Sequence, residues 1–248
     1  MIGPRSLCKH LARAILIDRA TPGDTSLIGT IARARSKENY RFASLLVFGK
    51  TVLDVGGGAG IGHDLLLGKG AVAIRSIDKH VAPTALHGDP RISSIQEDFL
   101  TYPIEDETVD VVICLGTIFY MRDVDAAVAK MHRALMPGGV LIMNCINQEL
   151  VRRYFGLTLG EIDDKFSTAF DERGFLALLS KHFENTPECF IQQPVSTSTT
   201  LLGSIKFWFT PLAWPFRRHP VMPKPPGTEG MYVYAVVKKR RSWPLDAR

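Results

Sequence analysis

A single stretch of this chain sets its architecture: Val52-Leu-Asp-Val-Gly-Gly-Gly-Ala-Gly-Ile-Gly62. Residues 51–55 are mainly β-branched or leucine, which is typical of a strand buried on both faces of a parallel sheet. A glycine-rich turn and an apolar, helix-like segment, 61–67, follow directly. Because glycine accepts positive φ and lets a ligand approach the backbone, this order predicts a nucleotide-sized site at the carboxyl end of a sheet.

The spacing of the glycines indicates which nucleotide would bind. Glycines alternate at positions 56, 58, 60 and 62, and an acid, Asp54, stands two residues before the first of them. A dinucleotide fingerprint needs G-x-G-x-x-G, but its last place falls on Ile61 or His63 here. A carboxylate beside such a turn favours a ligand with an ammonium group over a bare phosphate.

Length, charge and cysteine content narrow the class of protein. The 248 residues suffice for one α/β domain with a substantial core, and 46% hydrophobic with 22% charged residues is typical of a soluble globular protein. The net charge of +5 is mild and lies partly in the run 238–241, so we expect no nucleic-acid partner. Four scattered cysteines without a C-x-x-C pair predict a reduced, cytoplasmic protein without a metal site.

Two further strand-like segments end close to acids. Residues 72–78 end in Asp78, which follows Asp54 at about the distance where an acid of a βαβ unit meets a ribose. Residues 91–96 are followed by Asp98 and Phe99. The alternative interpretation of Asp78 is a strand-end cap, and Asp98 with Phe99 would by itself be an ordinary loop, but the two acids follow consecutive strands.

Downstream patterns continue the alternation of strands and helices. The predicted elements are a strand at 109–115, a helix at 124–136 capped by Asp123, a strand at 140–145 after Pro137-Gly-Gly139, a helix at 171–181, a strand around Phe190 and a last strand at 231–237. Residues 220–230, with four prolines, read as a flexible linker.

The series resembles the class I S-adenosylmethionine-dependent methyltransferases over about residues 38–145. Asp54-x-Gly56-x-Gly58-x-Gly60 resembles their motif I, the strand 109–115 resembles their motif IV, and a helix followed by Leu-x-Pro-Gly-Gly and a strand is a recurrent signature of the family. The resemblance implies a doubly wound, mostly parallel seven-stranded α/β sheet of the Rossmann-like type. The last strand would be antiparallel and lie between the fifth and sixth.

The same resemblance implies S-adenosylmethionine as cofactor and assigns residues to it. The glycine turn would wrap the amino-acid end, Asp78 with Lys79 would bind the ribose, and Asp98 with Phe99 would bind the adenine. An aromatic residue before motif I, here Tyr40, would lie near the cofactor. The implied cofactor-binding residues are Asp54, Gly56, Gly57, Gly58, Gly60, Asp78, Lys79, Asp98, Phe99 and Leu115.

We expect residues 1–248 to form a single domain. Residues 1–45 would be a helical cover, 46–193 with 231–238 the core, and 194–230 a lid or insertion. Residues 5–19 predict an amphipathic covering helix, with an organelle transit peptide as the alternative. The apolar, aromatic stretch 201–219 is too short and too interrupted to span a bilayer. It is either a lid over the site or a peripheral membrane contact.

The predicted function is methyl transfer from S-adenosylmethionine to a small-molecule acceptor, such as a hydroxyl of an apolar or lipid-linked compound. The motifs typical of adenine, glutamine and cytosine methylation are absent from the sequence. Two alternatives stay open: a related group transfer such as aminopropyl transfer, and a non-catalytic binding or assembly protein. Among His63, Tyr120 and the acids of 147–167, no catalytic base stands out, and the sequence leaves the oligomeric state open.

Overall fold

A computed structural model describes residues 25–80, 88–195 and 220–241, together with Ala12 and Leu16, which are buried. The strands are β1 (Thr51–Val55), β2 (Ala73–Ile77), β3 (Ile92–Ile95), β4 (Val109–Cys114), β5 (Leu135–Ile146), β6 (Glu188–Val195), β7 (Met222–Pro223) and β8 (Glu229–Lys238). The helices are α1 (Leu27–Ala43), α2 (His63–Gly68), α3 (Val124–Ala134), α4 (Gln148–Phe155), α5 (Leu159–Ile162) and α6 (Glu172–His182).

The strands form one mixed sheet in the order β3-β2-β1-β4-β5-β8-β6-β7. Strands β1 to β5 pair in parallel, and β8 lies antiparallel between β5 and β6. This confirms the predicted mostly parallel sheet and the insertion of the last strand. The count is eight rather than seven, because the two-residue β7 pairs with β6 inside the segment that we expected to be a linker. A proline is tolerated there because β7 is an edge strand.

The Pro137-Gly-Gly139 segment corrects two predicted boundaries. Helix α3 ends at Ala134, and β5 begins at Leu135 rather than at Val140. The pairing of β5 with β4 shifts register between Val109 and Val111, so the segment is a strand irregularity rather than a separate turn. A Cβ at position 139 would lie 2.9 Å from the Asp110 carbonyl oxygen, and glycine therefore permits this close approach.

The centre of the sheet forms the apolar core. The side chains of β4 from Val111 to Cys114 are buried, as are those of β8 from Met231 to Val237. Full burial of a Val, Leu, Ile or Met side chain contributes about 1.5–3 kcal/mol. Because both strands are covered on both faces, the sheet is a firm base for the loops at its carboxyl ends.

Helix α1 joins two distant parts of the sheet. Ser26 caps its start by accepting a hydrogen bond from the Gly29 amide at 3.1 Å. Near its end, the Phe42 ring packs 4.9 Å from that of Phe190 in β6 and 5.8 Å from that of Tyr234 in β8. The Tyr40 side chain reaches the opposite way, toward β1 and α2.

Two sequence predictions concern residues outside the described ranges. They are the helix at 5–19, apart from the two residues named above, and the apolar stretch 201–219. Among the helices that the structure describes, none is both long enough and apolar enough to cross a bilayer.

The contact between α1 and α2 requires glycine at position 62. A Cβ on Gly62 would lie 2.0 Å from Cγ of Tyr40, whose ring is buried. We expect Gly62→Ala to lower the free energy of unfolding by about 1–3 kcal/mol, as overpacking does. Gly68, at the end of the same helix, has open space around its missing Cβ. The control Gly68→Ala should be neutral or stabilise by up to about 1 kcal/mol. Equal urea denaturation midpoints for the two variants would refute this contact.

Candidate functional site

The register of the sheet brings the predicted site residues to one edge. Val55 pairs with Ile77, and Ile77 pairs with Ile95, so β1, β2 and β3 end side by side. β4 ends next to β1 on its other side. The glycine turn, Asp78, Asp98 and Leu115 therefore follow neighbouring strand ends, which we call the carboxyl edge. Ligands of open α/β sheets bind at such an edge.

The glycine turn has the backbone that its sequence predicts. Gly56, Gly58 and Gly60 have φ of 77°, 56° and 73°, values that side chains other than glycine rarely adopt. The Gly56 amide donates to the Ile77 carbonyl at 2.7 Å, which ties the turn to β2. A Cβ on Gly56 would collide with the Thr117 hydroxyl, whereas one on Gly58 would meet no atom within 4 Å. Gly58 thus presents an open stretch of backbone to a ligand.

Asp54 lies beneath the turn. Its side chain is 1% exposed, and Oδ2 accepts a hydrogen bond from the Tyr40 hydroxyl at 2.7 Å and lies 3.0 Å from His63 Nε2. A Cβ on Gly57 would approach Oδ2 to 2.5 Å, so the turn rests directly on the carboxylate. The sequence singled out Asp54, Tyr40 and His63 separately. It gave no signal that these three side chains meet, because they come from three different elements.

Asp78 contacts the turn from β2. Its Oδ2 accepts a hydrogen bond from the Gly58 amide at 3.0 Å, and Oδ1 accepts one from the His80 amide at 2.8 Å. The carboxylate is half-buried and therefore both braces the turn and faces the carboxyl edge. The structure shows the strand-end role of this side chain, and its role in binding a ligand stays a prediction.

Asp98 is held as an ionised carboxylate. Lys79 Nζ lies 2.8 Å from its Oδ2, and the Leu100 amide donates to Oδ1 at 3.0 Å. The hydrogen bond from Lys79 is the main cause that holds the pKa of Asp98 below its usual range, and the Leu100 amide adds to it. In the structure the Lys79 ammonium pairs with Asp98, and its predicted position beside the ribose stays a prediction.

Phe99 follows β3 in the chain and contacts Lys130 of α3. Its side chain is buried, and Lys130 Nζ lies 5.1 Å from the ring centroid. The same ammonium donates to the Phe99 carbonyl at 2.6 Å and the Leu100 carbonyl at 3.0 Å, while burial lowers its pKa. These bonds fix the turn that carries Asp98.

The end of β4 is tied to β5 by a residue that the sequence analysis missed. The Gly116 amide donates to Oδ1 of Asn144 at 2.7 Å, and Asn144 is fully buried. On the neighbouring strand, Tyr234 pairs with Asn144. The Tyr234 hydroxyl lies 2.6 Å from Asn39 Oδ1 and 2.8 Å from Gln192 Oε1. Asn144 is a polar residue within the apolar predicted strand 140–145, and this exception to the pattern could have marked it as a candidate site residue.

The ionisable side chains near this edge are already engaged or buried. His63 is fully buried against Asp54, which separates it from any acceptor at the surface of the turn. Burial raises the pKa of the Cys114 thiol, and the Asp54 carboxylate raises it further. Burial likewise raises the pKa of Cys145. Neither cysteine is therefore a thiolate nucleophile. The Tyr120 ring stacks on that of Phe166, with centroids 5.0 Å apart.

Two adjoining grooves lie beyond the end of β5, two strands away from the glycine turn. They have volumes of about 400 and 420 Å³ and share Glu149 and Asp171. Their linings are largely charged, unlike an apolar acceptor pocket. Within the three described ranges, no group of His, Cys, Asp and Glu side chains is arranged to hold a metal ion.

Comparison with known proteins agrees with this geometry. Residues 53–143 match a family described as a methyltransferase domain. The ubiquinone biosynthesis O-methyltransferase of Pasteurella multocida is 30% identical over 118 residues, covering 41% of this chain and 48% of that protein. The chain thus spans about half the length of the curated relatives it matches.

Two solved structures share the fold over most of the chain. A Thermotoga maritima protein described as a possible histamine N-methyltransferase aligns with a TM-score of 0.59 and 16% identity, covering 95% of this chain and 98% of that one. The Burkholderia thailandensis 1,6-didemethyltoxoflavin-N1-methyltransferase, with bound S-adenosylhomocysteine, aligns with a TM-score of 0.56 and 15% identity, covering 97% and 92%. The match over residues 53–143 places a methyltransferase domain in this part of the chain, and the fold around it is that of the S-adenosylmethionine-dependent methyltransferases.

Proposed function

We propose that the protein transfers a methyl group from S-adenosylmethionine to a hydroxyl of an apolar or lipid-linked small molecule. The observation that carries the proposal is the carboxyl edge itself, where the open backbone of Gly58, the carboxylate of Asp78 and the ionised Asp98 follow three neighbouring strands. The printed names of the curated relatives, all O-methyltransferases, support oxygen as the accepting atom.

We assign the cofactor-binding roles by what each group offers. Asp78 has two carboxylate oxygens at the edge to accept hydrogen bonds from ribose hydroxyls, and Asp98 offers a fixed anionic oxygen to the exocyclic amine of adenine. The backbone of the glycine turn and Leu115 would border the amino-acid end. When bound, S-adenosylmethionine supplies an electrophilic methyl group on a positively charged sulfur. Asp54 acts indirectly, because its carboxylate is buried and holds the turn in place.

The protein promotes methyl transfer mainly by positioning the acceptor oxygen relative to the methyl group of the cofactor. Displacement at a sulfonium methyl disperses charge, so alignment of the acceptor oxygen and exclusion of water provide most of the acceleration. Asp98 pairs with Lys79, and His63 is buried against Asp54, so neither is placed as a base for the acceptor. An acceptor whose hydroxyl is itself acidic, such as a phenol, suits this arrangement best.

The proposal is tested with the full chain and cofactor carrying an isotopically labelled methyl group. Phenols, aliphatic alcohols, amines and polyamines are offered separately, and the products are identified by mass spectrometry. We expect label on the oxygen of phenolic acceptors. Transfer to amines alone, or aminopropyl transfer from the decarboxylated cofactor, would contradict the assignment.

Asp78→Asn should weaken S-adenosylhomocysteine binding by roughly 10- to 150-fold, the equivalent of about 1.5–3 kcal/mol for charge-assisted hydrogen bonds. Calorimetry measures this, with Asp89→Asn as a control that removes an equal charge from a partly exposed carboxylate paired with Arg91. A cofactor analogue without ribose hydroxyls should lose less affinity in Asp78→Asn than S-adenosylhomocysteine does, because for the analogue only the bracing of the turn by Asp78 is disturbed. The ribose assignment is wrong if Asp78→Asn binds S-adenosylhomocysteine as wild type does.

Tyr40→Phe should lower the free energy of unfolding by about 1.5–3 kcal/mol, because it removes a hydrogen bond from a buried carboxylate. It should also weaken S-adenosylhomocysteine binding, since the glycine turn rests on that carboxylate. Tyr102→Phe is the matched control: its hydroxyl bonds to none of the described residues, and we expect a change within about 0.5 kcal/mol. Urea denaturation and calorimetry give the two quantities; identical results for both variants would exclude the proposed support.

A further inference from the structure

Asn144 carries a hydrogen-bond donor that none of the described residues uses. Its Oδ1 accepts from the Gly116 amide at 2.7 Å, and this bond fixes which way the side-chain amide points. Its Nδ2 is buried and has no hydrogen-bond partner among the described residues. Buried polar groups in folded proteins are almost always paired, so an unpaired amide requires an explanation.

This donor lies just beyond the end of β4, next to the predicted cofactor site. Cys114 at the end of β4 pairs with Met143, so Asn144 stands one residue further toward the carboxyl edge. Its hydrogen-bond partner Gly116 follows Leu115, which we expect to border the amino-acid end of the cofactor, the end that carries the methyl group. Tyr234 lies directly across from Asn144 in β8, and both side chains therefore face the side of the sheet that α1 covers.

Neighbouring polar groups do not satisfy the donor. The Tyr234 hydroxyl lies within hydrogen-bond distance of Asn39 Oδ1 and Gln192 Oε1, and all three residues are buried. Their polar atoms are thus directed at one another under α1. Within this cluster, Asn144 Nδ2 is a buried donor without a hydrogen-bond partner among the described residues.

We propose that Asn144 Nδ2 donates a hydrogen bond to a second oxygen of the acceptor, distinct from the oxygen that is methylated. The proposal rests on the proposed function and adds a residue that determines specificity. The acceptor would be a hydroxyl compound with a neighbouring ether, carbonyl or hydroxyl oxygen. A buried donor discriminates strongly against an analogue that lacks the oxygen, because binding of that analogue leaves the donor unpaired. Since Asn144 is buried, surrounding side chains must rearrange to admit the acceptor.

The test uses two phenols of nearly equal shape, 2-methoxyphenol and 2-ethylphenol, which differ by one oxygen in place of a methylene. Their affinities for the full chain saturated with S-adenosylhomocysteine are measured by calorimetry or ligand-observed NMR. Wild type should bind 2-methoxyphenol roughly tenfold more tightly, the effect of one hydrogen bond to a buried donor. In Asn144→Leu, which has a similar volume and no donor, the preference should vanish or reverse.

Two further variants separate recognition from structure. Asn185→Leu makes the same substitution at an exposed amide that bonds the Lys238 carbonyl, and it should keep the wild-type preference. Asn144→Asp keeps an oxygen for the Gly116 amide but can donate only when its carboxyl is protonated. Its preference for 2-methoxyphenol should therefore appear at low pH and disappear as pH rises. This variant tests the inference even if Asn144→Leu fails to fold.

The outcomes distinguish this inference from the proposed function. An unchanged ratio of affinities in Asn144→Leu, or no binding of either phenol by wild type, would overturn the role of Asn144. Weaker S-adenosylhomocysteine binding in Asn144→Leu would assign the amide to the cofactor and overturn it as well. Methylation is measured separately. If wild type prefers 2-methoxyphenol but forms no O-methyl product from any acceptor, the proposed function is wrong and the binding role of Asn144 stands.

Discussion

The site depends on one buried carboxylate and its two partners. Asp54 Oδ2 lies 2.7 Å from the Tyr40 hydroxyl and 3.0 Å from His63 Nε2, and these bonds join β1 to α1 and α2. A carboxylate with 1% exposure is costly unless it is hydrogen-bonded, so the three elements hold one another in place. Gly57 and Gly62 allow the turn and the Tyr40 ring to close over it. The cofactor turn is thereby formed by the protein before any ligand binds.

The sheet also positions the other side chains that we propose bind the cofactor. Parallel register places Asp78 beside the turn, where its carboxylate accepts from the Gly58 amide, and it places Asp98 one strand further along. Lys79 links the two positions because it follows Asp78 directly and pairs with Asp98. Each acid is thus positioned by backbone or ionic partners that leave oxygens at the carboxyl edge. Such a site needs little reorganisation on binding, which favours affinity.

Local sequence patterns predicted most of the strands and several candidate site residues, but they did not predict one strand boundary or the contacts between distant elements. The strands, the alternating glycines and the acids after β2 and β3 follow from short-range rules of burial and turn chemistry. The start of β5 could not be predicted in this way. Pro137-Gly-Gly139 has the local sequence of a turn, but pairing with β4 extends the strand through these residues. Asn144 was hidden in an apolar run. The meeting of Tyr40 with Asp54 depends on how α1 crosses the sheet, which no local pattern records.

Helix α1 connects the two halves of the candidate site. Adjacent residues on it, Asn39 and Tyr40, lie against different parts of the sheet: Asn39 reaches Tyr234 in β8, and Tyr40 reaches Asp54 in β1. The cofactor turn and the polar cluster around Asn144 therefore share one rigid cover. A displacement of α1 that admits an acceptor near Asn144 also strains the bond that supports the turn. Because α1 would have to move to admit an acceptor and stay seated to support the turn, we expect binding at the two halves to be coupled through this helix.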